Sequence, residues 1–202
     1  MNTASATYFI KLTRRTVPVG LILVTLLIPG AGRAKPNAED VEEKTRIVEE
    51  LYNRGYIVSL LGHYEQAILL FKKSLEIHPT AEAYTYMGWT YSHMGDYQRA
   101  ITEAEEAIRI DPDFGNPYND IGVYLMELGR DDEAAPYLKK AMRAERYCCY
   151  QFPHFNMGRI FLKKKMYEEA KQEFHKSLAI DPKYLPAKDA LELLEKAGIK
   201  GI

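Results

Sequence analysis

The sequence predicts an all-α solenoid of about four helix pairs with a C-terminal capping helix, and three periodic features predict it. Gly55, Gly88, Gly122 and Gly158 stand 33, 34 and 36 residues apart, and Ala67, Ala100, Ala134 and Ala170 keep the same intervals. Between these markers apolar residues recur at three- and four-residue spacing, the period of an amphipathic helix. Gly62, Gly95 and Gly129 fall where each first helix turns back, a role that suits a positive φ, and Pro79, Pro112 and Pro182 stop the second helices.

Residues 1–34 read as an export signal. Lys11, Arg14 and Arg15 form a basic region, Val17–Ile28 is a twelve-residue apolar run interrupted by Pro18, Gly20 and Thr25, and Pro29-Gly30 ends it. Gly32-Arg33-Ala34 then sets small residues where a signal peptidase reads, so cleavage is expected after Ala34. The alternative is an uncleaved anchor, but the run is well short of the ~20 apolar residues a spanning helix needs. Contact with the membrane is therefore expected only in transit, and the mature chain is expected in the periplasm or secreted.

Residues 35–47 are a polar arm, with a stub at Lys35–Asn37 and a helix beginning near Ala38. Four helix pairs follow, in units 48–80, 81–114, 115–150 and 151–183. Their helices are expected at 48–61 and 64–77, 81–94 and 97–110, 115–128 and 131–146, and 153–164 and 167–180. Gly88 lies inside a helix, where glycine costs about 1 kcal/mol relative to alanine. Close approach of the helix carrying Ala100 supplies the reason for it. Residues 184–202 hold a last helix from about Tyr184 to Ala197, with Pro186 in its first turn and Gly198 at its end. Its polar side carries Lys188, Asp189, Glu192, Glu195 and Lys196, and Leu191, Leu193 and Leu194 are expected to pack on the fourth pair.

The repeat unit, typified by Tyr84, Met87, Gly88, Tyr91, Ala100, Ala104 and Pro112, resembles the tetratricopeptide repeat pattern. The other copies supply Leu51, Gly55, Val58, Ala67, Phe71 and Pro79; Tyr118, Ile121, Gly122, Leu125, Ala134 and Leu138; and Met157, Gly158, Phe161, Ala170, Phe174 and Pro182. Arg54 and His154 depart from it at usually apolar positions, and Arg146 stands where the third copy should have its proline. The layout is similar to that of exported bacterial envelope members, including those assisting type IV pilus assembly. Many of those are lipoproteins, whereas no cysteine follows the apolar run here.

The resemblance implies that the first helix of each pair lines a concave groove. Residues placed there are Tyr52, Asn53 and Tyr56; Tyr86, Trp89 and His93; Asn119, Asp120 and Val123; and Phe152, Phe155, Asn156 and Arg159. Asn53 and Asn156 are expected to fix a peptide backbone, since an amide pairs with both N–H and C=O, and Tyr56, Tyr86 and Trp89 to form its apolar floor. Tyr84, Tyr91 and Tyr118 fit the core better. Tyr52 and Tyr86 occupy positions where the carboxylate clamp of chaperone-binding members needs Lys and Asn, so chaperone tails are disfavoured.

Basic and acidic residues balance at 27 and 28; without residues 1–34 the count is 23 against 28, a net charge of −5. Such a body is repelled by DNA and anionic lipid, so nucleic acid is not an expected partner. No two histidines share the i, i+4 spacing of a zinc helix, and HExxH, a phosphate-cradling glycine loop and CxxC are all missing. No cofactor, metal or catalytic residue is therefore named. The expectation is a non-enzymatic scaffold that binds a segment of another protein, with self-association through helical ends or Cys148 and Cys149 as the alternative. Those cysteines are adjacent, and an internal disulfide, a bond to another chain and two free thiols all stay open. Lys163, Lys164 and Lys165 form a basic turn, read as a solubilising loop or a contact for an acidic partner.

Overall fold

A computed structural model describes residues 37–198; the export signal expected at 1–34 and the start of the stub lie outside them. The described residues hold nine α-helices: α1 (Ala38–Leu60), α2 (Tyr64–Ile77), α3 (Ala81–His93), α4 (Tyr97–Ile110), α5 (Gly115–Glu127), α6 (Asp131–Ala141), α7 (Gln151–Lys163), α8 (Tyr167–Ile180) and α9 (Leu185–Lys196). The polar arm and the first repeat helix are one continuous helix, capped by the Asn37 side chain accepting from the Asp40 N–H at 2.7 Å. Among the described residues no helix is long and apolar enough to cross a membrane.

The second helix of each pair packs on its own first helix and on the first helix of the next pair. First helices also meet one another, α1 with α3, α3 with α5 and α5 with α7, and so form the inner layer of the stack.

All four turns between paired helices use one device. Gly62, Gly95 and Gly129 have φ of 82°, 79° and 73°. The N–H of the next residue, His63, Asp96 or Arg130, donates to the carbonyl of Val58, Tyr91 or Leu125 at 3.1, 3.0 and 2.8 Å. That is the Schellman closure of a helix end. In the fourth pair Lys165 takes the glycine's place at φ 61°, and the Met166 N–H donates to Phe161 at 2.9 Å.

The marker glycines are contact points between paired helices. A Cβ on Gly88 would lie 2.9 Å from the Ala100 carbonyl oxygen, the backbone approach expected from sequence. In the other copies a large side chain fills the gap: a Cβ would meet the Phe71 ring at 2.7 Å over Gly55, Leu138 at 2.5 Å over Gly122 and the Phe174 ring at 2.5 Å over Gly158. Copy two has Ala104 where those residues stand, so its helices close in until backbone meets Cα. Buried hydroxyls stitch the pairs as well. Ser74 donates to the Val48 carbonyl and Ser177 to the Gln151 carbonyl at equivalent repeat positions, and the Ser59 and Thr90 hydroxyls meet at 2.8 Å.

Three expectations change. Helix α6 ends at Ala141, five residues before the expected 146, because the chain then pairs with the loop before α5. The Arg146 N–H donates to the Asp113 carbonyl, and the Gly115 N–H donates to the Arg146 carbonyl, both at 3.0 Å. Leu194 is buried and Leu191 packs on the Ala170–Phe174 cluster, but Leu193 is 66% exposed because α9 rests on α8 along a single stripe. The basic turn is engaged within the chain: Lys163 pairs with Asp131 at 3.0 Å and Lys164 with Asp132, joining repeats three and four.

Candidate functional site

On the inner face of α1 and α3, aromatic side chains form a continuous ladder. Tyr52 and Tyr86 have ring centres 6.0 Å apart, Tyr86 stacks on Tyr56 at 4.6 Å, Tyr56 meets Trp89 at 5.7 Å, and Trp89 meets His93 at 3.9 Å. His93 Nδ1 bonds the Trp89 carbonyl oxygen at 2.9 Å. The four larger rings are all partly buried, and His93 is exposed. Each presents a hydrophobic flank while its inner edge packs on the core cluster or on its neighbours. Burial, joined by the charges of Glu49 and Glu82, raises the pKa of Tyr52, and burial raises that of Tyr86, so both hydroxyls stay neutral at ordinary pH.

Along α5 and α7 the same inner layer becomes polar. The Asn156 amide nitrogen donates to Asn119 Oδ1 at 3.1 Å, and Arg159 donates to Asn156 Oδ1 at 3.3 Å and reaches Glu127 at 3.6 Å. Asn119 is 8% and Asn156 6% exposed, so both faces of the Asn156 amide are spent inside the chain. Asn53, the other residue expected to fix a backbone, is exposed, while the Asn119–Asn156 hydrogen bond links α5 to α7. Asp120 is partly buried and accepts from Asn119 Nδ2 at 3.5 Å. Burial pushes its carboxyl up to about 7, against the opposing pull of that hydrogen bond.

Phe155 packs against Phe174 at 5.6 Å and meets Tyr184 edge-on at 5.3 Å. Phe152 meets Tyr184 at 5.5 Å, and Val123 is partly buried. Of the residues expected in the core, Tyr91 and Tyr118 are buried and Tyr84 is partly buried. His154, at an apolar repeat position, faces Glu173 of α8 with Nδ1 2.6 Å from Oε2. Burial raises the Glu173 pKa, but hydrogen bonds from His154 and Lys176 outweigh it and hold the carboxyl below its usual range.

The sequence pattern assigns no inner-layer role to Tyr147 and Tyr184. Tyr147 is buried against the start of α5, and Tyr184 closes the end of the inner layer on Phe152 and Phe155. Both lie in connectors outside the repeat register, where periodicity assigns no face. The Cys148 and Cys149 sulfurs are within bonding distance of each other, with Cα atoms 3.8 Å apart. Among the described residues no group of three His, Cys, Asp or Glu side chains is arranged to hold a metal.

Stacked helix pairs with an inner layer of first helices define a helical-repeat scaffold. Family models described as tetratricopeptide repeat match residues 51–80, 81–114, 118–146 and 152–184, and the chain belongs to that family, whose members act as protein–protein interaction modules. It is 30% identical over 111 residues to the small glutamine-rich tetratricopeptide repeat-containing protein 2 of Mycosarcoma maydis, covering 54% of this chain and 30% of that protein. It thus spans under a third of that relative's length. Among solved structures, Pseudomonas aeruginosa PilF has a TM-score of 0.66 at 23% identity, covering 79% of each chain. PilW, described as a widely conserved type IV pilus biogenesis factor, has 0.65 at 22%, covering 70% of this chain and 65% of that one. These likenesses establish the fold.

Proposed function

We propose that the protein is a non-enzymatic adaptor whose concave face holds an extended or helical segment of a partner protein. The observation that carries this reading is the ladder Tyr52–Tyr86–Tyr56–Trp89: large, preorganised rings on one face, partly open, and continuous over two repeats. Such rings bury large area at low entropic cost, which is the character of interface anchors. The exposed Asn53 beside them offers both a donor and an acceptor to a peptide backbone. The basic and apolar leader at residues 1–34 supports export, and likeness in fold to a pilus biogenesis factor directs the search toward assembly of an envelope or secretion complex. An oxidising compartment suits a disulfide, and the Cys148 and Cys149 sulfurs face each other within one chain.

The test is Trp89→Ala in the full chain. Binding of a partner recovered from envelope extract is expected to weaken about tenfold or more while helical circular dichroism stays close to that of the parent. Unchanged affinity removes the groove reading, and collapse of folding reassigns Trp89 to the core.

Self-association is a second reading, favoured by one observation. Ile57, Leu60, Leu61 and Leu69 are all more than half exposed on the first helix pair, with Leu61 at 69%. Apolar residues gathered on a terminal repeat are the form of an end-to-end contact. Light scattering of the parent and of Leu61→Glu, with and without reductant, separates this reading from the adaptor.

A further inference from the structure

We propose that the middle of the groove is a receptor for one cationic side chain, a lysine or arginine of the bound segment, with Asp120 as its counter-charge. This rests on the groove reading above and names the chemistry of what the groove accepts.

Asp120 stands in α5 at the repeat position that Tyr86 holds in α3 and Asn156 in α7; the intervals of 34 and 36 residues are those of the glycine register. At that position Tyr86 stacks in the ladder and Asn156 reaches across to α5, so the register directs Asp120 to the same inner layer. Several other acidic side chains on the stack have cations: Asp96 has Arg99, Asp111 and Glu82 share Arg146, and Glu173 has Lys176. Asp120 has none among the described residues. Its hydrogen bond from Asn119 is long, at 3.5 Å, and comes from a neutral amide already engaged with Asn156 through its oxygen.

The groups around it leave the charge uncompensated. Its field reaches the hydroxyls of Tyr124, one turn along α5, and of Tyr147 from the junction, and burial raises the pKa of both, so they are neutral. The Tyr124 hydroxyl is itself buried and without a hydrogen-bond partner among the described residues. From α7 the cation at this level is Arg159, which is held by Asn156 and Glu127. From α3 the equivalent position carries Tyr86, which burial keeps neutral. The chain therefore holds a partly buried carboxyl with no cation beside it, a costly arrangement. Burial responds by pushing the group toward its neutral form. A cation delivered by a partner restores the charged form, and the neighbouring rings suit the methylene stem that carries it. An acidic residue delivered to the same place gains nothing and is repelled.

The experiment uses the full chain and four synthetic peptide pools, each with four randomised residues on either side of a fixed centre: Lys, Arg, Gln or Glu. Binding is read from the fluorescence of Trp89, the single tryptophan. The parent protein is expected to favour the Lys and Arg pools over the Gln and Glu pools on the order of tenfold. Asp120→Asn, a near-isosteric change, is expected to bring the Lys and Arg pools down to the level of the Gln pool, with a urea midpoint no lower than the parent's. Two results overturn the inference while the groove stands: binding with no preference for a cationic centre, or a preference that persists in Asp120→Asn. Binding of no pool at all overturns the inference and the groove reading together.

Discussion

The guanidinium carbon of Arg146 lies 4.1 Å from the centre of the Phe114 ring. The same side chain reaches Glu82 through Nη1 and Asp111 through Nε, both at 2.8 Å. One arginine thus ties the irregular junction after α6 to the starts of α3 and α5, which explains how the third repeat dispenses with its terminal proline.

Replacing Arg146 by alanine should destabilise the stack by about 1–2 kcal/mol, most of it from the ring contact, because the ion pairs are solvent-screened. Urea unfolding of the two proteins measures this. Arg146→Lys should recover little, since an ammonium cannot lie flat on Phe114 while forking to two carboxylates.

Lys165 offers the opposite sign. It holds a left-handed backbone that glycine holds in the three equivalent turns, while Lys163 and Lys164 make the inter-repeat ion pairs. Lys165→Gly should raise stability by about 1 kcal/mol, read as a higher urea midpoint, and Lys165→Ala should show no such gain.

Asp120 gives a pH signature. An acid whose folded pKa lies above its unfolded value makes the folded state the tighter proton binder, so stability declines as pH rises from the ordinary 3.8 through about 7 and then levels off. In Asp120→Asn that decline should be missing, leaving the variant more stable than the parent above pH 7 by roughly 2 kcal/mol once partial solvent access is allowed for. Paired denaturation curves from pH 4 to 8 test this, since the other titrating groups cancel in the difference.

Much of the architecture was legible because each repeat carries local instructions. The glycine and alanine register, the turn glycines and the stop prolines place α2 to α5, α7 and α8 within two residues of their observed ends, and Pro186 and Gly198 do the same for α9. The exception, α6, was lost where local rules stop applying: nothing in Arg143–Tyr150 announces that its backbone will pair with residues 113–115, a contact more than thirty residues distant. The inner layer was legible for the same reason. Periodicity could place Asn119 and Asn156 on one face, but not that their amides would satisfy each other across α5 and α7, because hydrogen bonding between neighbouring repeats depends on the angle at which they stack. Leu193 failed for want of a partner, since a terminal helix has only one neighbour to cover it.

The change of character along the inner layer, rings on α1 and α3 giving way to amide and acid on α5 and α7, gives the hollow a head and a tail. On the adaptor reading proposed above, a guest lying along it would be oriented as well as held, because turning it around would set its greasy end against carboxyl and its charged end against tyrosine. The rest of such a guest would then emerge from a fixed side of the molecule.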